Sequence, residues 1–192
     1  NQKMMTPAAK RKVIQVQVIE PQQITLWGIC ELIKSDPRFA ICSSSTNGLD
    51  ALKSIQTCRP DVIVIEPELD GEDAISLVEA LILKTGGKVI LLTSNRNPSL
   101  QDRAILKGAR GVVLKTDPPE TLLKALEKIS QGELWLNRNA TSRILMKAAE
   151  SNTPKDLSEE QMRLTQLTPK EEKVTRAIQL YPKKTLREVA ET

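Results

Sequence analysis

The chain has 192 residues, with 28 Lys and Arg against 24 Asp and Glu, three Cys, four aromatic residues and no His. Its 40% hydrophobic content is enough to build a core, and its length admits one domain of about 120 residues plus a smaller companion. The lack of His excludes Ser-His-Asp and Cys-His catalysis and His-ligated zinc, and no apolar run approaches the roughly 18 residues that a membrane helix needs.

Residues 1–12 are polar and basic, with Lys3, Lys10, Arg11 and Lys12 and no acid, and read as a disordered tail. From Val13 the pattern turns to short β-branched strands alternating with amphipathic helices. The strands are expected at Val13 to Ile19, Arg38 to Ser43, Val62 to Ile65, Lys88 to Leu92 and Gly111 to Leu114. The helices between them are expected at Gln23 to Ser35, Gly48 to Gln56, Asp73 to Lys84, Pro98 to Lys107 and Pro119 to Gln131. In the last of these, Leu122, Leu123, Leu126 and Ile129 recur at helical spacing. Pro98 and Pro119 each stand where a first helical residue would. Five strand–helix alternations imply a doubly wound parallel sheet covered on both faces, whose ligand crevice lies at the carboxyl edge of the strands.

Beyond Gln131 the strand signal ends. Residues 138–149 can form one more helix, and 150–165 are polar and rich in turn formers, so 132–165 reads as a helical linker. A second unit, 166–192, opens at LTPKEE, where Thr168, Pro169 and Glu171 form a capping box. Val174, Ile178 and Tyr181 continue its apolar face, and Pro182 ends that helix. The basic excess sits in the tail: residues 13–131 carry 13 basic and 15 acidic side chains, and 132–192 carry 11 and 9. The high pI is therefore weak evidence for nucleic acid. Cys30, Cys42 and Cys58 form no C-x-x-C pair and read as reduced thiols of a cytoplasmic protein. Glu68, Asp70, Glu72 and Asp73 read as a solvated turn rather than a cation site, with Asp70-Gly71 setting the reversal. Gly108 and Gly111 read as turn residues, because no phosphate-cradle motif surrounds them.

STNGLDAL, RPDVIVIEPEL, VILLTS, GARGVVLKTDPPETLLKALEKISQGELWL and LTPKEEKVTRAIQLYPKKTLREVAET follow one another in an order and spacing that resembles NarL/FixJ-family response regulators, a receiver domain followed by a LuxR-type helix-turn-helix. The resemblance implies a five-stranded, flavodoxin-like receiver over 13–131. It also implies a small all-α DNA-binding unit that here stops before the recognition helix. In such receivers an acidic pair after the first strand and an Asp ending the third hold Mg²⁺ and accept a phosphoryl group, while a hydroxyl and a Lys grip its oxygens. Thr93 and Lys115 match that pattern. The acids depart from it: Glu20 is followed by Pro21, and Glu66 stands in place of the acceptor Asp.

Pro21 offers no carboxylate, and the extra methylene of Glu66 moves its oxygens by about 1.5 Å, in a geometry where an ångström can cost roughly 100-fold. The expectation is a degenerate receiver without Mg²⁺-dependent phosphorylation, in which Glu66 reaches toward Lys115, either standing in for a phosphoryl group or merely neutralising it. Val112 occupies the position where many receivers carry a switching Tyr or Phe, which favours a receiver locked in one state or regulated by something bound. Lys183 and Lys184 are expected DNA phosphate contacts. No catalytic residue, metal set, cofactor or membrane contact is expected, and the chain is not expected to be an enzyme. The expected function is that of a cytoplasmic, homodimeric, DNA-binding transcription regulator, its full-length form on promoter DNA, with a regulatory protein or small ligand as a further partner. The alternative is a receiver-derived interaction or dimerisation module that does not bind DNA.

Overall fold

The computed structural model describes residues 12–71 and 73–151. The chain divides into two compact units, Asn1–Leu145 and Met146–Thr192, and the site described below lies wholly in the first. That unit alternates β1 (Ile14–Ile19), α1 (Gln23–Lys34), β2 (Phe39–Ser45), α2 (Gly48–Ser54), β3 (Val62–Ile65), α3 (Ala74–Thr85), β4 (Lys88–Thr93), α4 (Pro98–Leu106), β5 (Gly111–Leu114) and α5 (Pro119–Ser130), and α6 (Arg138–Ser151) follows. The strands form one parallel sheet in the order β2-β1-β3-β4-β5, as the alternation predicts.

Local chemistry fixes the helix starts. The side chains of Asn47, Asp73 and Asn97 accept backbone N–H groups at the openings of α2, α3 and α4, and Pro98 supplies the preset φ of a first helical residue. α3 ends on Gly86, whose φ of +69° is the left-handed cap that glycine takes without a Cβ clash. In the turn after β3, Gly71 also takes φ +69°, the reversal expected at Asp70-Gly71.

Alternating side chains divide the core between the two faces of the sheet. One layer joins Val16, Val18, Val62, Val64 and Ile90 to α1 and α5 through Ile29, Ile33, Leu122, Leu126 and Ile129. The other joins Ile19, Ile63, Ile65, Val89 and Leu91 to α3 and α4 through Val78, Leu81 and Ala104. All four residues of β3 are buried, which is the continuous apolar run of a central parallel strand.

Three expectations are corrected. Cys42 and Cys58 are joined as a disulfide with Cα atoms 5.5 Å apart, tying β2 to the segment after α2, so Cys30 alone is a free thiol. Burial pushes the Cys30 thiol above its ordinary pKa. Of the two readings of Gly111, turn residue and start of the last strand, the second holds: it is the first residue of β5, and a Cβ there would stand 2.6 Å from Ile129 Cδ1 and 2.9 Å from Trp135 Cβ. The missing side chain lets the 135 segment lie along β5, where Trp135 N donates to Arg110 O and Val112 N donates to Trp135 O, both at 3.0 Å. Lys12, assigned to the tail, pairs with Asp61 at 3.0 Å.

Candidate functional site: a two-carboxylate, one-ammonium cluster at the strand ends

Sheet register assembles the site. Ile19 pairs with Ile65, so Glu20 and Glu66 leave neighbouring strands side by side at the point where the strand order reverses. Thr93 pairs with Leu114, so Lys115 leaves β5 at the same edge. Backbone bonds hold each exit: Glu66 N donates to Ile19 O and Lys115 N to Thr93 O, both at 2.9 Å, and Glu20 N donates to Ser45 O at 3.0 Å.

The three charged side chains meet. Lys115 Nζ lies 2.6 Å from Glu20 Oε2 and 2.8 Å from Glu66 Oε2. Glu20 and Glu66 are 1% and 6% exposed, so both carboxylates have given up nearly all their water. Their other oxygens are satisfied locally: Glu20 Oε1 accepts Gln22 N and Glu66 Oε1 accepts Glu68 N, each at 3.0 Å. Burial works against charge on Lys115, but the hydrogen bonds and fields of Glu20 and Glu66 outweigh it and lift the ammonium pKa above the ordinary lysine value. One cation therefore holds two anions, leaving a formal excess of one negative charge in the crevice.

The reach of Glu66 to Lys115 agrees with the sequence reading, whereas the equal claim of Glu20 on the same ammonium went unread. Its signal was only the acid ending β1. Thr93 is fully buried at the end of β4, and its hydroxyl accepts Asn95 N at 3.0 Å, within its own turn. Pro21 is half-buried and follows Glu20 into the turn before α1. Glu68 of the acidic turn accepts Asn95 Nδ2 at 2.6 Å, tying the loop after β3 to the loop after β4.

Val112 is half-buried beside the α4 side of the core. There α4 carries a second charged pair that the sequence did not announce: Asp102, 1% exposed, receives a fork from Arg143 of α6, with Nε–Oδ2 at 3.0 Å and Nη2–Oδ1 at 3.1 Å. Asp102 holds the Arg143 guanidinium pKa above its ordinary value. Buried Gln17 of β1 is also unannounced. Its amide donates to Ala51 O and Ser54 Oγ, both at 3.0 Å. Lys183, Lys184 and the capping box at Thr168 lie outside the described residues.

Comparison with known proteins places this geometry. The family model for the response regulator receiver domain matches residues 16–127. The transcriptional regulatory protein DesR of Bacillus subtilis is 30% identical over 121 residues, covering 63% of this chain and 60% of that relative, so the chain spans less than two thirds of its length. The nitrate/nitrite response regulator protein NarL of Escherichia coli K12 is 25% identical over 166 residues, covering 85% of this chain and 74% of NarL. The isolated receiver domain of RcsB from Salmonella enterica shares the fold with a TM-score of 0.61 at 20% identity, covering 69% of this chain and 99% of that one. Among the described residues no helix is long and apolar enough to cross a membrane. A five-stranded sheet in this order, with a Lys at the end of β5 and acids at the ends of β1 and β3, is the receiver arrangement, and the chain belongs to the response regulator receiver family.

Proposed function

We propose that the chain is the receiver portion, with the start of a helix-turn-helix unit, of a cytoplasmic transcription regulator that binds promoter DNA as a homodimer and operates without Mg²⁺-dependent phosphorylation. The observation that carries this reading is the ammonium of Lys115 between Glu20 and Glu66 at 2.6 and 2.8 Å. A Mg²⁺ ion held there would need oxygen donors around it at about 2.1 Å in near-octahedral order. Pro21 offers no side-chain oxygen, and the two acids are already turned onto a cation. The donor set therefore does not fit the ion. Glu66 in turn presents its carboxylate from one methylene further out than an Asp would, and that carboxylate is paired with the lysine that would otherwise meet the incoming phosphoryl group.

In this reading the two acids take over part of the attraction that a phosphoryl group exerts on the lysine, and the strand ends stay in one state. DNA binding is supported by the transcriptional regulatory role named for DesR. Lys183 and Lys184 are the phosphate contacts proposed here, and base-reading residues are not assigned.

The test is incubation with acetyl phosphate and Mg²⁺, read by intact mass, together with beryllofluoride titration read by amide NMR shifts. The expected result is no adduct and no shifts centred on Glu66. An adduct on Glu66, or saturable shifts there, overturns the reading. Glu66→Asp alone is expected to stay silent, and Glu66→Asp with Pro21→Asp to recover part of the chemistry. Affinity of the full-length protein for promoter DNA is expected to fall steeply with salt, as phosphate contacts require; salt-independent or absent binding favours the interaction-module alternative.

A further inference from the structure

The geometry points to a second site, at the open edge of β5: we propose that the cavity between β5, α4 and the start of α6 binds a small aromatic monocarboxylate. The cavity has a volume of about 550 Å³ and is lined by Arg96, Gln101, Val112, Leu114, Trp135 and Ala140. That volume lies within the roughly 300–1,000 Å³ of small-molecule sites, which combine apolar walls with a few placed polar groups.

Each wall argues for part of the ligand. Val112, Leu114 and Ala140 present aliphatic surface, and the half-buried indole of Trp135 supplies an aromatic face to a ring of similar size. The space exists because Val112 stops at two methyl groups; a ring at that position would occupy it. Arg96 brings a guanidinium to the cavity from the exposed β4–α4 loop, tethered among the described residues by a 3.3 Å contact to Thr116 Oγ1. A guanidinium fork matches a carboxylate in shape as well as charge. Gln101, 7% exposed, donates through Nε2 to Asn95 O at 2.8 Å, which fixes the loop that carries Arg96.

Asp117 also faces the cavity and limits the ligand's charge. Its Oδ2 accepts Leu114 N at 2.9 Å, which offsets part of its charge, but its presence favours a single carboxylate over a dianion. The site shares no charged group with the Lys115 cluster, so it stands whether or not that cluster proves unreactive.

The experiment uses the 192-residue chain carrying Trp27→Phe, which leaves Trp135 as the sole indole. Trp27 is 67% exposed on α1, so its removal does not open the core. Indole fluorescence is titrated with benzoate, phenylacetate, benzamide and phthalate, and amide NMR locates the response. Benzoate or phenylacetate is expected to saturate below about 1 mM, with benzamide and phthalate at least about tenfold weaker. Amide shifts are expected to gather at residues 96–101, 112–117 and 135–140. Arg96→Gln is expected to weaken binding about tenfold, the worth of one charge-assisted contact. Val112→Phe is expected to abolish binding while circular dichroism and melting remain native-like. If Val112→Phe unfolds the chain, Val112→Leu takes its place and must weaken binding. No saturation up to about 10 mM, binding indifferent to both the 112 and 96 variants, or shifts centred between α1 and α5 around Gly28 and Leu122 overturns the proposal.

Discussion

The receiver unit contains two ionic clusters on buried carboxylates, built to different rules. At the strand ends, two carboxylates share one ammonium, whereas between α4 and α6 one carboxylate meets one guanidinium through a two-point fork. Matched planar geometry suits the second to holding helices together. The first is unbalanced by one charge and spends a flexible, titratable lysine on two acids, an arrangement that stability alone does not favour. It has the layout of a receiver crevice, with a lysine at the end of β5 and acids at the ends of β1 and β3. Donor chemistry, a flexible ammonium against a planar guanidinium fork, thus separates a receiver crevice from a helix clamp when burial of the carboxylates alone does not.

Replacing the shared cation tests this most severely. Lys115→Met leaves two buried anions facing each other, and we expect a loss of about 3–4 kcal/mol at neutral pH, toward the lower end for a broken buried pair because the ammonium keeps some contact with water. Urea unfolding followed by circular dichroism measures it. Adding Glu20→Gln and Glu66→Gln is expected to recover more than half of that loss, since the amides keep the shape and remove the repulsion. A Lys115→Met protein as stable as the parent contradicts the two-anion description.

A charge-free tie provides the control. Reducing Cys42–Cys58, or replacing both with Ser, releases a loop with a sequence separation of 16 and is expected to cost about 2–3 kcal/mol by loop entropy. Unlike the lysine effect, this cost is expected to be insensitive to salt and to the Glu20→Gln and Glu66→Gln changes. Thiol titration of the unreduced, denatured chain should count one thiol, Cys30, and three after reduction. Three without reductant would return the pair to the reduced state first expected for a cytoplasmic protein.

The clamp should respond more weakly. Arg143→Lys keeps the charge but loses the planar fork, and is expected to destabilise less than Lys115→Met while raising amide exchange in α4 and α6. Unchanged exchange would show that the fork does not tie the two helices.

How far the sequence carried depends on the range of the interaction. β3 and β5 were read to the residue because Val62–Ile65 and Gly111–Leu114 are short apolar runs bounded by turn formers. β2 runs on through Ser44 and Ser45 because, at the sheet edge beside β1, backbone pairing can continue along polar residues. The positions of Glu20, Glu66, Thr93 and Lys115 were legible because strand ends converge on one edge in this fold. The reach of Glu66 to Lys115 was legible too, but the share of Glu20 in the same ammonium was not, since side-chain reach decides it. The Asp102–Arg143 fork spans 41 residues, and each partner looks like an ordinary charge on an amphipathic helix. The disulfide follows from β2 and the segment after α2 lying together, which a spacing of 16 does not encode.

The smallest predicted effect separates the two clusters by titration. The Lys115 pKa is raised in the folded state above the ordinary value of 10.5, so its contribution is fully present below about pH 10.5 and is lost as pH rises through the folded value. Arg143 is also raised, above an arginine value that already lies beyond this window, so the fork keeps its charge across it. The stability gap between the parent chain and Lys115→Met should therefore hold steady from neutral pH to about 10 and narrow above it. The gap between the parent and Arg143→Lys should not narrow in this way, because the parent's guanidinium stays charged while the replacement lysine loses its proton. Taking both as differences cancels the contributions of all groups common to the compared chains. A Lys115 gap that is flat to the alkaline limit would mean that the ammonium gains nothing from its two acids.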